Sequence, residues 1–202
     1  MTEQNQSLRE DIAFVRQLAE AGRDRPMLGG QILAAAGVVW GMASFSVWYM
    51  TSVLRMGPGS ANVVWAISFA VWMVTLFVMV RRIRTQCGGP QETSGAAWAG
   101  VGYAIFAIAI SLGVIAWRLN LPNILWAFPS VLLALYGAAW SVAATAFRKP
   151  WMHMMAIASF VMAPVNGWFA GDPVIWLVYA ISLVGLLTAP GVYLISEARR
   201  AA

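Results

Sequence analysis

Six stretches of this chain carry no Asp, Glu, Lys or Arg, at about 29–53, 61–80, 96–117, 123–147, 151–170 and 173–195, and every charge falls between or beyond them. Roughly 20 apolar residues rising 1.5 Å each cross a hydrocarbon core about 30 Å thick. The pattern therefore predicts six transmembrane helices. The gaps are short: 56–60 (MGPGS), 118–122, 148–150 and 171–173. Turns this tight make successive helices antiparallel neighbours. Only Arg81 to Gly95 is long and polar, and its Gly88, Gly89, Pro90 and Ser94 predict a loop rather than a domain.

Upstream, SLREDIAFVRQLAEA at 7–21 sets Leu8, Ile12, Val15 and Ala19 at helical spacing, with Ser7 and Glu10 matching a capping box. This predicts a short amphipathic helix, ended by Gly22, with Pro26, Gly29 and Gly30 forming the elbow into the first span. Its polar face mixes Arg9 and Arg16 with Glu10, Asp11 and Glu20, which is not the cationic face that grips anionic lipid. Packing beneath the bundle and contact with another protein both stay open. The expected fold class is all-α: a polytopic membrane protein whose six-helix bundle (29–195) lies between an N-terminal tail with the amphipathic helix (1–28) and a C-terminal tail (196–202).

Composition and charge set the environment. With 60% hydrophobic and 10% charged residues, the apolar surface exceeds what a soluble globule of 202 residues hides, so the lipid bilayer is the expected solvent. Eleven of the 13 basic residues occupy alternate gaps: Arg9, Arg16, Arg23 and Arg25, then Arg81, Arg82 and Arg84, then Arg148 and Lys149, then Arg199 and Arg200. Only Arg55 and Arg118 stand in the others. Retained cytoplasmic segments carry the Lys/Arg excess, so both termini are expected in the cytoplasm of a bacterium, with the bundle in its inner membrane. The same orientation accounts for the net charge of +5, and no nucleic-acid partner is expected. Residues 1–28 contain five acidic side chains and no apolar segment, so the first span is the expected insertion signal. The single cysteine, Cys87, offers neither an intrachain disulfide nor a metal spacing.

Tryptophan and tyrosine favour the headgroup level. Trp48, Tyr49, Trp65, Trp117, Trp126, Trp168 and Trp176 fall toward the outer surface, and Trp98, Trp151 and Tyr193 toward the inner one. Trp40, Trp72 and Trp140 lie deeper. An indole N–H in hydrocarbon needs a partner, so these three are expected to face the bundle interior.

Little in the chain points to chemistry. The six windows hold no carboxylate, and their scattered serines have no histidine base, so an enzyme is not expected. Trp151-Met152-His153-Met154-Met155 is the nearest approach to a copper site, but helical spacing separates Met154 from Met152 and Met155, and no second His completes a set. No metal and no cofactor is expected. Gly37 and Gly41, and Gly137, Ser141 and Thr145, form small-residue tracks that fit close packing within the chain or between copies. Pro129, Pro164 and Pro190 fall within spans four, five and six, where each frees a carbonyl. A three-span repeat also shows: Gly37-x-x-Trp40-Gly41 parallels Gly137-x-x-Trp140-Ser141, AISFA (66–70) parallels AIASF (156–160), and Tyr103-Ala-Ile parallels Tyr179-Ala-Ile. Three is odd, so a second copy would be inserted upside down, as in many transporters.

Two functions follow as expectations. The first is a noncatalytic accessory, regulatory or scaffold subunit, contacting a protein partner through the cytoplasmic helix and the 81–95 loop, or assembling as a homo-oligomer. The alternative is a small permease or sensor for an apolar or neutral compound, with Trp40, Ser44, Trp72, Trp140, Ser141 and Asn166 lining an uncharged cavity.

DIAFVRQLAEAGR with its glycine elbow, the W-G of span one, YGAAW in span four and P-G near the end of span six resemble small six-span bacterial inner-membrane proteins. The resemblance implies the topology and carries over no catalytic or binding position.

Overall fold

The computed structural model describes residues 25–57, 59–86 and 93–201. The expected amphipathic helix at 7–21 and Cys87 lie outside the described residues. Among those described there is no strand. Helix α1 (Arg25–Trp48) continues through a π-helical turn (Tyr49–Val53), followed by α2 (Gly59–Gln86) and α3 (Thr93–Leu119). A 3-10 turn (Pro122–Ala127) leads into α4 (Phe128–Phe147), and α5 is Pro150–Trp168. The last rod is α6 (Val174–Leu183), a second π turn (Val184–Thr188) and α7 (Ala189–Ala201).

Five of these rods are long and apolar enough to cross a membrane, and α5, at 19 residues, is a shorter sixth helix carrying Pro164 and Asn166. Two elements outrun the sequence expectation. Arg81–Gln86 and Thr93–Gly95, expected as loop, continue α2 and begin α3, and α7 carries its helix through Arg199 and Arg200 instead of stopping near 195. Arg81–Gln86 and the last turns of α7 contain no Gly or Pro, so nothing local stops those helices where the apolar run ends.

The turns explain the short connections. Arg148 ends α4 in the left-handed conformation (φ 52°), and Pro150 opens α5 in its first turn, where a missing N–H costs nothing. Between α5 and α6, Gly171 adopts φ 91° and the Asp172 carboxylate accepts the backbone N–H of Val174 at 2.8 Å, capping the next helix.

Packing divides the rods into two groups of three. In one, α1 lies against α2 on one side and the α6–α7 rod on the other; in the second, α4 lies against α3 and, most extensively, α5. Within each group small residues admit close approach. A Cβ added to Gly191 would come 2.6 Å from the Ala34 backbone nitrogen and 2.7 Å from the Gly30 carbonyl oxygen, and one added to Gly137 would meet the Phe160 ring at 2.8 Å. Across the groups large side chains meet instead: Leu132, Leu133, Tyr136 and Trp140 of α4 join Tyr179, Leu183, Leu186 and Leu187 in one buried core.

Candidate functional site

The proline-rich half builds the most elaborate polar contact. Pro190 has no N–H, so the carbonyl of Leu186, four residues earlier, loses its helical donor. The indole N–H of Trp140 donates to that carbonyl at 3.1 Å, across the two helix groups. Trp140 is 1% exposed, and the partner its N–H requires inside the membrane is thus the group that Pro190 releases. Nearby, Tyr136 of α4 and Tyr179 of α6 are buried together in the core that spans the same boundary. Pro129, by contrast, stands at the first turn of α4 and frees no carbonyl of that helix.

The six residues proposed to line one cavity are not brought together. Trp40 and Trp72 are half-buried at the α1–α2 seam, where the Trp40 ring lies 6.3 Å from Trp65 and 6.4 Å from Trp72. Trp65 continues to Trp176 at 5.1 Å, and Trp176 to Trp126 at 5.8 Å. Trp140 belongs to a second aromatic chain with Trp98 at 5.3 Å and Trp151 at 5.7 Å, extended by Tyr193 at 5.3 Å from Trp151. Among the described residues no ring contact joins the two chains. Each does join residues that the charge pattern assigns to one membrane surface: Trp65, Trp126 and Trp176 at one, Trp98, Trp151 and Tyr193 at the other.

The hydroxyls are already engaged. Ser44 donates to the Trp40 carbonyl at 2.8 Å and Ser141 to the Gly137 carbonyl at 2.9 Å, each in its own helix, as do Ser159 and Ser182. Asn166 differs. It is fully buried, and neither its amide nitrogen nor its oxygen has a partner. The Ser130 and Thr188 hydroxyls, which sequence reasoning missed, are also buried without one. Thr188 sits in the π turn, where the Ala189 N–H takes the Val184 carbonyl that a helical threonine usually shares. Gly37 faces that threonine, whereas Gly137 faces α5, so the paired glycines of the repeat do not meet equivalent neighbours.

Among the described residues, two hollows stand out at the surface of the bundle. One, about 730 Å³, lies over α5 between Ile157 and Phe169. The other, about 470 Å³, lies between α5 and the α6–α7 rod, lined by Trp151, Met155, Gly185, Ala189, Pro190 and Tyr193. Neither includes any of the six proposed residues. In the Met-rich segment Met152 is buried while His153 and Met154 face outward, so these side chains do not converge.

Among the described residues these features define an all-helical protein with several helices long and apolar enough to cross a membrane, a buried core around Leu133, Trp140 and Leu183, and a largely apolar exterior. No protein-family model, curated protein or solved structure matches this chain.

Proposed function

We propose that this chain is a noncatalytic subunit of the bacterial inner membrane, with six spans and both termini in the cytoplasm. It acts as an accessory, regulatory or scaffold component that holds a protein partner through the amphipathic helix expected at 7–21 and the segment 81–95. The observation carrying this reading is the filled interior: Leu133, Ile175 and Leu183 are fully buried, Trp140 nearly so, and the serines of the core bond within their own helices. Such a bundle offers cargo no prepared path, while α2 and α3 turn most of their apolar surface outward. The test is native purification of the tagged full-length protein in mild detergent with mass spectrometry of what accompanies it. A stoichiometric companion, released when residues 1–22 are deleted, is the expected result. Purification without a companion would overturn the subunit reading, and a companion retained after deletion would reject the helix as its contact. Thiol labelling should find positions 88 and 149 on the same face.

One observation favours the alternative, a small permease or sensor for a neutral compound. Asn166 presents an unpaired donor and an unpaired acceptor inside the membrane, and intramembrane polar groups in that state mark pathways. The α1-centred group takes in the sixth rod and the α4-centred group the third, a grouping compatible with an inverted three-span repeat, although the paired glycines Gly37 and Gly137 meet different neighbours. Under this reading Asn166→Leu abolishes uptake or binding while folded protein persists; unchanged uptake removes it.

A further inference from the structure

The groove between α5 and the α6–α7 rod has a chemistry that the packed core does not explain. Its walls are two aromatic rings (Trp151 and Tyr193), the Met155 thioether and the small surfaces of Gly185, Ala189 and Pro190. The floor at Gly185 is open, since a Cβ built there meets nothing within 4 Å. The π turn at Val184–Thr188 inserts an extra residue into the rod just before Pro190, and such turns re-aim side chains at functional sites. From Gly185 to Tyr193 the groove runs about 12 Å along the rod at 1.5 Å per residue, the length of a substantial part of an acyl chain.

One end of this apolar slot is basic. Seven residues beyond Tyr193, and so on the same face of α7, stands exposed Arg200, with Arg199 beside it. Across the groove Arg148 is exposed at the turn that precedes Trp151. Lys149 is ion-paired with Glu197, which ties that turn to α7 and holds the basic ends of both walls together. Arg148, Arg199 and Arg200 have no ion-pair partner among the described residues. Aromatic residues of the kind found at headgroup level thus lie between the apolar slot and the cations.

We propose that this groove is a binding site for one anionic phospholipid, with an acyl chain along Gly185, Ala189 and Met155 and the headgroup phosphate held by Arg148 and Arg200. Neither functional reading above is needed for it. A zwitterionic lipid offers the same chains but no net charge to match the cations, so selectivity is part of the claim.

The experiment is native mass spectrometry of the full-length protein in mild detergent, titrated with dioleoyl phosphatidylglycerol or dioleoyl phosphatidylcholine. One phosphatidylglycerol is expected to bind about tenfold more tightly than phosphatidylcholine, and the Arg148→Asn/Arg200→Gln double variant is expected to lose that preference. Asn is chosen because it tolerates the left-handed backbone of Arg148. Gly185→Leu fills the slot and is expected to weaken phosphatidylglycerol about tenfold or more, with helicity and thermal transition measured alongside. If Gly185→Leu does not fold, Ala189→Leu obstructs the same groove from the next turn. Equal binding of the two lipids, or wild-type affinity in a folded groove-filling variant, overturns the proposal.

Discussion

Helix α1 shows two kinds of helix contact on its two sides. Against α7 the backbones nearly touch, with Gly30, Ala34 and Gly191 closer than any side chain would allow. Against α2 the contact is a row of tryptophan rings more than 6 Å apart. The pattern holds for the whole molecule. The two most apolar spans, Gly59–Arg82 and Trp98–Leu119, have none of their best membrane-crossing window buried, whereas half of the corresponding window in Val174–Arg200 is buried. Apolarity therefore does not select the inner helices. Lipid tails are as apolar as leucine, so helices join through close packing and interhelical hydrogen bonds. Here the closely approached glycines Gly30, Gly37, Gly137 and Gly191, and the Leu186 carbonyl that Trp140 caps, lie on α1, α4 and the α6–α7 rod.

The largest effect should come from pressing a side chain into the close seam and then into the open periphery. Gly191→Val puts a β-branched side chain against the Ala34 backbone and is expected to cost about 3 kcal/mol or prevent folding, because backbone cannot yield as a flexible side chain does. Gly102→Val, on α3 with nothing within 4 Å, is expected to stay within about 0.5 kcal/mol of wild type. Denaturation in detergent micelles, followed by circular dichroism, measures both. Equal losses would erase the distinction between seam and periphery.

A smaller effect separates the hydrogen bond from the packing around it. Trp140→Phe keeps much of the ring but leaves the Leu186 carbonyl buried and unpaired, a cost of about 1–3 kcal/mol. Pro190→Ala restores a backbone N–H four residues beyond that carbonyl. In the Pro190→Ala background the Trp140→Phe penalty is therefore expected to shrink to the packing loss alone. A double-mutant cycle reads the difference directly. Additive costs would mean that Trp140 acts only by filling space.

That bond also marks where sequence reasoning runs out. The indole of Trp140 needs a partner and Pro190 must release a carbonyl, and each need is legible locally. Their union spans 46 residues and depends on how two helix groups face each other, which no periodicity encodes. The long apolar helices were legible because charges are excluded from hydrocarbon, a constraint acting residue by residue, and five of them are long and apolar enough to cross a membrane. The shared cavity of Trp40, Trp72 and Trp140 was not: depth along the membrane normal can be counted from the charges, but azimuth around the bundle cannot. Asn166 could be named as a polar residue within a span, but that its side chain is sealed without a partner depends on its neighbours in space. Ser130 and Thr188 gave no signal, since most helical hydroxyls satisfy themselves within their own helix.

The smallest expected effect bears most directly on function. Ile67 and Phe77 of α2 are 58% and 66% exposed. Ile67→Ala and Phe77→Ala are expected to change the stability of the isolated protein by less than about 0.5 kcal/mol, because in this bundle only detergent or lipid lies against them. The informative comparison is the same pair of variants in native membranes, scored by protease resistance and abundance. If α2 meets only lipid there, the variants remain neutral. If it seats a partner or a second copy, both become destabilising in the membrane while remaining neutral after purification. That split would extend the proposed partner contact to the outer face of α2, and neutrality in both settings would leave it to the proposed contacts at 7–21 and 81–95.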